Sequence, residues 1–80
     1  MENSLNTKKN SLAILEAALK NKGIPKNYYS LGVERNERTC VIFEDSEWVV
    51  YFFERGRRND VHKFIALEPL IEYLLNEFSN

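Results

Sequence analysis

The side chains that could perform chemistry are isolated along this sequence. Catalysis needs acid, base or nucleophilic groups held together, and the chain has a single histidine, His62, and a single cysteine, Cys40. Cys40 stands in the apolar run CVIF, which is typical of a small buried side chain rather than a nucleophile. His62 stands between a valine and a lysine, which indicates a solvated or singly hydrogen-bonded ring. One histidine and one cysteine fall short of the usual four-ligand structural zinc set.

The remaining chemical motifs are equally sparse. Glu44 and Glu54 could form a carboxylate pair, but charged residues are common at strand ends. The segments SLG and ERG hold one glycine each, so the sequence has no glycine-rich phosphate loop. The sequence therefore predicts a protein that is not an enzyme and that needs no metal or other cofactor.

Basic residues cluster in ERGRRN, which contains Arg55, Arg57 and Arg58. The net charge of -1 lacks the large positive excess typical of nucleic-acid binders. The predicted order of helix, three strands and helix resembles double-stranded RNA-binding domains in topology only. Those domains carry lysines at the start of the last helix, where this chain has Glu68 and Glu72. Nucleic-acid binding is therefore not favoured.

The first element that must position these groups is a helix in TKKNSLAILEAALKNKG, where leucines recur at spacings of three and four. Thr7 or Ser11 could cap its start. We expect the residues through about Asn6 to be frayed. Gly23 suits the left-handed position after the helix, and Pro25 prevents its continuation.

Three strands are predicted next, in YYSLGVE, RTCVIFE and EWVVYFFER. The polar turns RNER and EDSE join them, and such short connections favour antiparallel neighbours. RRND is interpreted as a loop, and VHKFIA as either a short fourth strand, at about 60–65, or an extended approach to the last helix. The strands are expected to form a meander.

A second helix is predicted in LEPLIEYLLNEF, with Pro69 in its first turn. The order of elements predicts a two-layer α+β fold with a three- to four-stranded antiparallel meander and a helix at each end. A length of 80 residues indicates a single domain spanning 1–80.

The third strand raises a problem of burial, because WVVYFF is apolar on both of its faces. The helices could lie on opposite faces of the sheet, or long side chains and the N-terminal tail could cover an open face. We favour a third explanation, contact with another protein, because aromatic residues and arginines lie side by side and such residues are enriched at interface hot spots. The predicted partner-binding residues are Trp48, Tyr51, Phe53, Glu54, Arg55, Arg57 and Arg58.

The compartment is predicted from what the sequence lacks. No segment is long and apolar enough to span a bilayer, and the start MENSLNTKKNS lacks the apolar stretch of a signal peptide. A single cysteine allows no internal disulfide. We expect a cytoplasmic protein without a membrane partner.

Several short motifs between Tyr28 and Leu75 resemble those of small bacterial immunity proteins of polymorphic toxin systems. They are YYSLG, CVIFE, EWVVYFFERG, a later lone phenylalanine and a C-terminal YLL helix. The last helix departs from that pattern because it opens with LEPLIEY where a smaller, alanine-containing turn is expected. The resemblance implies a protein that binds and blocks a cognate toxin domain without catalysis.

Two other functions stay open at this point. One is a homodimer that buries the same sheet face and serves as a structural or regulatory module. The other is a phage- or mobile-element-encoded inhibitor of host nucleic-acid machinery that acts through the acidic turns.

Overall fold

The structure is a computed structural model that describes residues 4–79. Within this range the chain forms two α-helices and a four-stranded sheet. The elements are α1 (Ser4–Asn21), a 3-10 turn (Lys26–Tyr28), β1 (Tyr29–Leu31), β2 (Arg38–Glu44), β3 (Glu47–Glu54), β4 (Arg57–Phe64) and α2 (Leu67–Phe78). The predicted α+β class is confirmed. None of these helices is long and apolar enough to cross a membrane.

The sheet has the order β1-β2-β3-β4 and is mixed. β2 and β3 pair in antiparallel orientation, as do β3 and β4, but β1 is parallel to β2, with Ser30 opposite Cys40. The prediction of a fully antiparallel meander is therefore wrong at its first connection. Residues 32–37, here called the crossover loop, do not form a hairpin. The loop passes over Cys40, whose sulfur lies 3.4 Å from the Arg35 amide nitrogen and 3.3 Å from the Arg35 carbonyl oxygen.

β4 is longer than the sequence indicates. RRND, interpreted as a loop, forms its first half, and the predicted fourth strand is its second half. Every residue of that first half is exposed, so its polar composition reflects an edge strand rather than a loop.

A β-bulge interrupts the pairing of β3 with β4 between Val50 and Phe52. Val50 lies opposite His62 and Phe52 lies opposite Asn59, so β4 has one extra residue here. Asp60 within the bulge has φ +56°. A strand alternates its faces, so residues five apart normally point to opposite sides. The extra residue reverses this, and Arg58 and Lys63 share a face.

The helix boundaries also refine the predictions. α1 begins at Ser4, so residues 4–6 lie within the helix, while residues 1–3 lie outside the described range. Thr7 and Ser11 lie inside the helix and do not cap it. The lysines between them are good helix formers, which favours the longer helix. Gly23, at φ +76°, follows the end of α1 as predicted.

α1 and α2 pack on the same face of the sheet, here called the helix face. One core cluster joins leucines of both helices to residues of β1, β2 and β3: Leu15, Leu19, Leu70, Leu74, Tyr29, Val41, Trp48 and Val50. The explanation in which the helices lie on opposite faces is therefore excluded. The opposite, outer face carries a separate cluster of Cys40, Val49 and Tyr51, which is also buried.

Candidate protein-binding site

The turn between β3 and β4 presents arginines on a fixed backbone. Glu54 and Arg57 form the last strand pair, and only Arg55 and Gly56 lie between them. Both have a left-handed backbone, with φ of 53° and 73°. Two successive residues of this kind are typical of the type I′ turns that close β-hairpins. Arg55 and Arg57 are both exposed at this tip.

The crossover loop anchors the tip from the side. The Arg55 backbone N–H donates a hydrogen bond to Asn36 Oδ1 at 3.1 Å, and the Glu37 N–H donates to the Phe53 carbonyl oxygen at 2.6 Å. These bonds join two segments far apart in sequence. They attach the hairpin tip to the crossover loop.

The pairing of the strands gathers further arginines at this end of the sheet. β1 and β2 begin here, β3 ends here and β4 begins here. The resulting surface, here called the arginine end, consists of Arg35, Arg38, Arg55 and Arg57. None of the four forms an ion pair among the described residues. The turn at the opposite end of the sheet is acidic, with Glu44, Asp45 and Glu47. Glu37 and Glu54 lie beside these arginines, so the arginine end carries charges of both signs.

The outer face is closed by charged side chains of the chain itself. Tyr51 is only 1% exposed, because the Arg58 guanidinium lies over its ring, 4.3 Å from the centroid. The Tyr51 hydroxyl donates a hydrogen bond of 2.5 Å to Glu34 Oε1. Burial, and then this bond, raise the pKa of Tyr51. The second explanation for the open face, cover by long side chains, therefore holds at Tyr51.

Arg58 connects the acidic groups of this cover. Its guanidinium nitrogens donate to both Glu44 carboxylate oxygens, at 2.8 and 3.3 Å, and to Glu34 at 3.2 Å. The hydrogen bonds from Arg58 lower the pKa of Glu44, and the same contact raises the pKa of Arg58. Lys63 lies 4.0 Å from Glu47 on the same face. We call these residues the charged cover: Glu34, Glu44, Glu47, Arg58 and Lys63.

The thiol and the imidazole are both occupied by structural contacts. Cys40 is fully buried, as predicted, and burial raises the pKa of its thiol, so it is a poor nucleophile. His62 Nδ1 lies 3.0 Å from the Tyr73 hydroxyl and 3.0 Å from the Asp60 carbonyl oxygen. The ring centroids of His62 and Tyr73 are 4.6 Å apart. No cluster of potential metal ligands occurs in residues 4–79.

The structure divides the seven predicted contact residues into two groups. Trp48 lies beneath the helices against Phe43, with ring centroids 4.8 Å apart, and offers no surface. Tyr51 is buried on the outer face. The others reach the surface at or beside the hairpin tip: Phe53, Glu54, Arg55, Arg57 and Arg58. Phe53 is half-buried against Tyr51, and Arg58 is held by Glu34 and Glu44.

Sequence reasoning missed the other half of the arginine end. Arg38 lies at this end because it pairs with Phe53 near the end of β3, and Arg35 because β1 is parallel to β2 and the crossover loop returns to the start of β2. No local pattern indicates that pairing. The hairpin tip itself could be predicted from the sequence, because the glycine in ERGRR marks the end of a strand.

No family model matches this chain, and no curated protein or solved structure is significantly similar to it. The likeness to immunity proteins therefore rests on the sequence motifs alone. The structure adds the arrangement of the exposed arginines at the hairpin tip.

Proposed function

We propose that this chain is a non-catalytic protein-binding module whose partner is the toxin domain of a bacterial polymorphic toxin, which it neutralises in the cytoplasm. The observation that carries the proposal is the anchored hairpin tip. Arg55 and Arg57 are exposed there and have no ion-pair partner among the described residues. The sequence resemblance supplies the class of partner.

The geometry of the tip suits tight binding. A surface that is already ordered loses less conformational entropy on association, which leaves more of the contact energy as affinity. Arginine is enriched at hot spots because its planar guanidinium binds carboxylates through two parallel hydrogen bonds. Phe53 adds a half-buried aromatic edge beside the two arginines. We infer that the toxin surface opposite the tip carries carboxylates.

The same structure gives little support for catalysis. Cys40 is buried with a raised thiol pKa, and His62 contacts Tyr73 and the backbone of its own bulge. Each candidate group already has a structural role. A toxin inhibitor needs none of them to react.

The test is co-expression with the variable C-terminal domain of a secreted protein encoded beside this chain. We expect the native chain to restore growth and to form a complex measurable by calorimetry. The variant Arg55→Glu/Arg57→Glu should bind at least about tenfold more weakly, since about 1.4 kcal/mol of lost contact has that effect. The matched control Lys8→Glu/Lys9→Glu makes the same charge change on α1 and should bind like the native chain.

Two results would reject this function. One is a toxin domain that kills equally well with and without the chain, while the chain is folded and abundant. The other is a stable dimer in light scattering that buries the hairpin tip, which would favour the homodimeric module instead.

A further inference from the structure

A groove of about 630 Å³ runs between α1, β1 and the crossover loop, at the edge of the sheet. Leu12 and Leu31 contribute apolar surface, and Val33 on the crossover loop is 52% exposed. The crossover loop packs closely against α1 at one point, because a Cβ on Gly32 would lie 3.2 Å from Leu12 Cδ1. β1 is the edge strand here, so this side of the sheet has no further strand within residues 4–79.

The walls of this groove are basic. Lys26, Arg35 and Arg38 line it, and none of them forms an ion pair with another described residue. The acid in the lining is Glu16, whose carboxylate lies 3.9 Å from Lys20. Three free cations against one engaged carboxylate give the groove a positive field, which attracts anionic groups.

A buried polar group also lies at the groove. Tyr29 is one of its lining residues, is only 4% exposed, and has a hydroxyl without a hydrogen-bond partner in the described part of the chain. Burial, and then the nearby Glu16 carboxylate, raise the pKa of this hydroxyl, so it remains a protonated donor. A buried hydroxyl without a partner is costly.

We propose that this groove binds an acidic, extended segment of the partner protein, in which carboxylates alternate with apolar side chains. An extended segment presents its side chains alternately to opposite sides. The carboxylates pair with Arg35, Arg38 and Lys26, and the apolar side chains contact Leu31 and Val33. The apolar surface favours a peptide over a nucleic-acid backbone, which offers phosphates without aliphatic groups. The inference rests on the proposed function, because it describes the chemistry of the same partner.

The experiment uses the full chain and a short fluorescein-labelled peptide in which Glu alternates with Val, followed by fluorescence anisotropy. We expect binding that weakens as salt is added, because exposed charges are screened. The peptide with Gln in place of Glu should not bind. Arg35→Gln should weaken binding about tenfold, since the loss of one hydrogen bond between charged groups lowers the binding free energy enough to have that effect. Lys63→Gln removes one cation at the opposite edge of the sheet and should leave the affinity unchanged.

An independent measurement locates the peptide on the molecule. Backbone amide signals of Leu31, Gly32 and Val33 should shift in NMR spectra when the Glu peptide is added, and those of β4 should not. Val33→Ser should weaken binding without changing the charge. Arg35→Gln and Val33→Ser should both keep the far-ultraviolet circular dichroism spectrum of the native chain.

Several outcomes would overturn the groove proposal. They are equal binding by Arg35→Gln and Lys63→Gln, preference for a single-stranded oligonucleotide over the Glu peptide, and a dimer whose contact is the groove. The peptide assay requires no toxin. A peptide that does not bind would therefore contradict the groove proposal alone. A chain that does not restore growth would contradict the proposed function alone.

Discussion

The two faces of the sheet are buried by different means. On the helix face, leucines of α1 and α2 close over Trp48 and Val50. On the outer face, Tyr51 is equally inaccessible, but the crossover loop and the charged cover lie above it. Equal burial thus comes from thick apolar elements on one side and from a thin ionic layer on the other.

The difference shows that an apolar strand with two oily faces does not require an external partner. Long charged side chains can cover aromatic surface with their aliphatic stems while their charged ends remain in water. Surface ion pairs are individually weak. The outer face is therefore held by weaker interactions than the helix face, and the following experiments measure that asymmetry.

The largest effect is expected on the helix face. Leu74→Ala removes a fully buried side chain between α2 and the sheet, and such truncations cost about 2–5 kcal/mol. Urea denaturation followed by the fluorescence of Trp48 gives the free energy of unfolding. Ile14→Ala, at a position 55% exposed on α1, is the control and should cost much less. Equal losses would mean that α2 does not close this core.

A smaller effect is expected beneath the charged cover. Tyr51→Phe keeps the ring but removes the hydroxyl that donates to Glu34, and should cost about 1.5 kcal/mol of unfolding free energy. Tyr28→Phe removes a hydroxyl from a ring that is 52% exposed and should cost nothing measurable. An unchanged free energy of unfolding in Tyr51→Phe would show that the hydrogen bond to Glu34 does not contribute to stability.

The same pair of proteins tests the pKa of Tyr51. A phenol with a raised pKa in the folded state stabilises the fold fully below its unfolded pKa of about 10, and this stability is lost as the pH rises above that value. Between about pH 9 and about pH 11 the native chain should therefore lose more stability than Tyr51→Phe. Parallel losses would contradict the raised pKa.

A still smaller effect is expected for the ion pairs of the cover. Arg58→Gln removes the cation above Tyr51 and should cost about 0.5–1 kcal/mol, an amount that shrinks as salt is added. Arg57→Gln, one residue away, removes an exposed arginine without an ion pair among the described residues and should leave stability unchanged. A cost for Arg58→Gln that is independent of salt would point to packing rather than charge.

The smallest effect is a titration shift. The hydrogen bonds from Arg58 lower the pKa of Glu44, so their contribution is present above the unfolded pKa of this carboxyl and is lost as the pH falls through its folded value. In carbon-13 NMR titrations, Glu44 should therefore have a lower midpoint in the native chain than in Arg58→Gln. Identical midpoints would mean that the pair does not form in solution.

Local patterns accounted for much of the fold. Leucine spacing located α1 and α2, and the alternation in EWVVYFFER located β3. The parallel pairing of β1 and the length of β4 could not be read in this way, because both depend on residues distant in sequence. An edge strand with exposed polar side chains has the composition of a loop.

The same limit applies to the site. The exposed tip at Arg55 and Arg57 follows from a glycine turn after a strong strand. The burial of Tyr51 depends on Glu34, which the crossover loop brings close, and on Arg58, which pairs with Phe53 and therefore points to the outer face. The position of Trp48 beneath the helices depends on which face the helices choose, and an apolar strand leaves that choice open.

The bulge at Asp60 also affects how copies of this chain can pair with one another. β4 is the long edge of the sheet, and long regular edges recruit strands from other molecules and start aggregates. The extra residue interrupts the hydrogen-bonding ladder, and charges stand on both sides of it, at Arg57, Arg58 and Lys63. The extra residue thus makes this edge a poor template for the strand of another molecule.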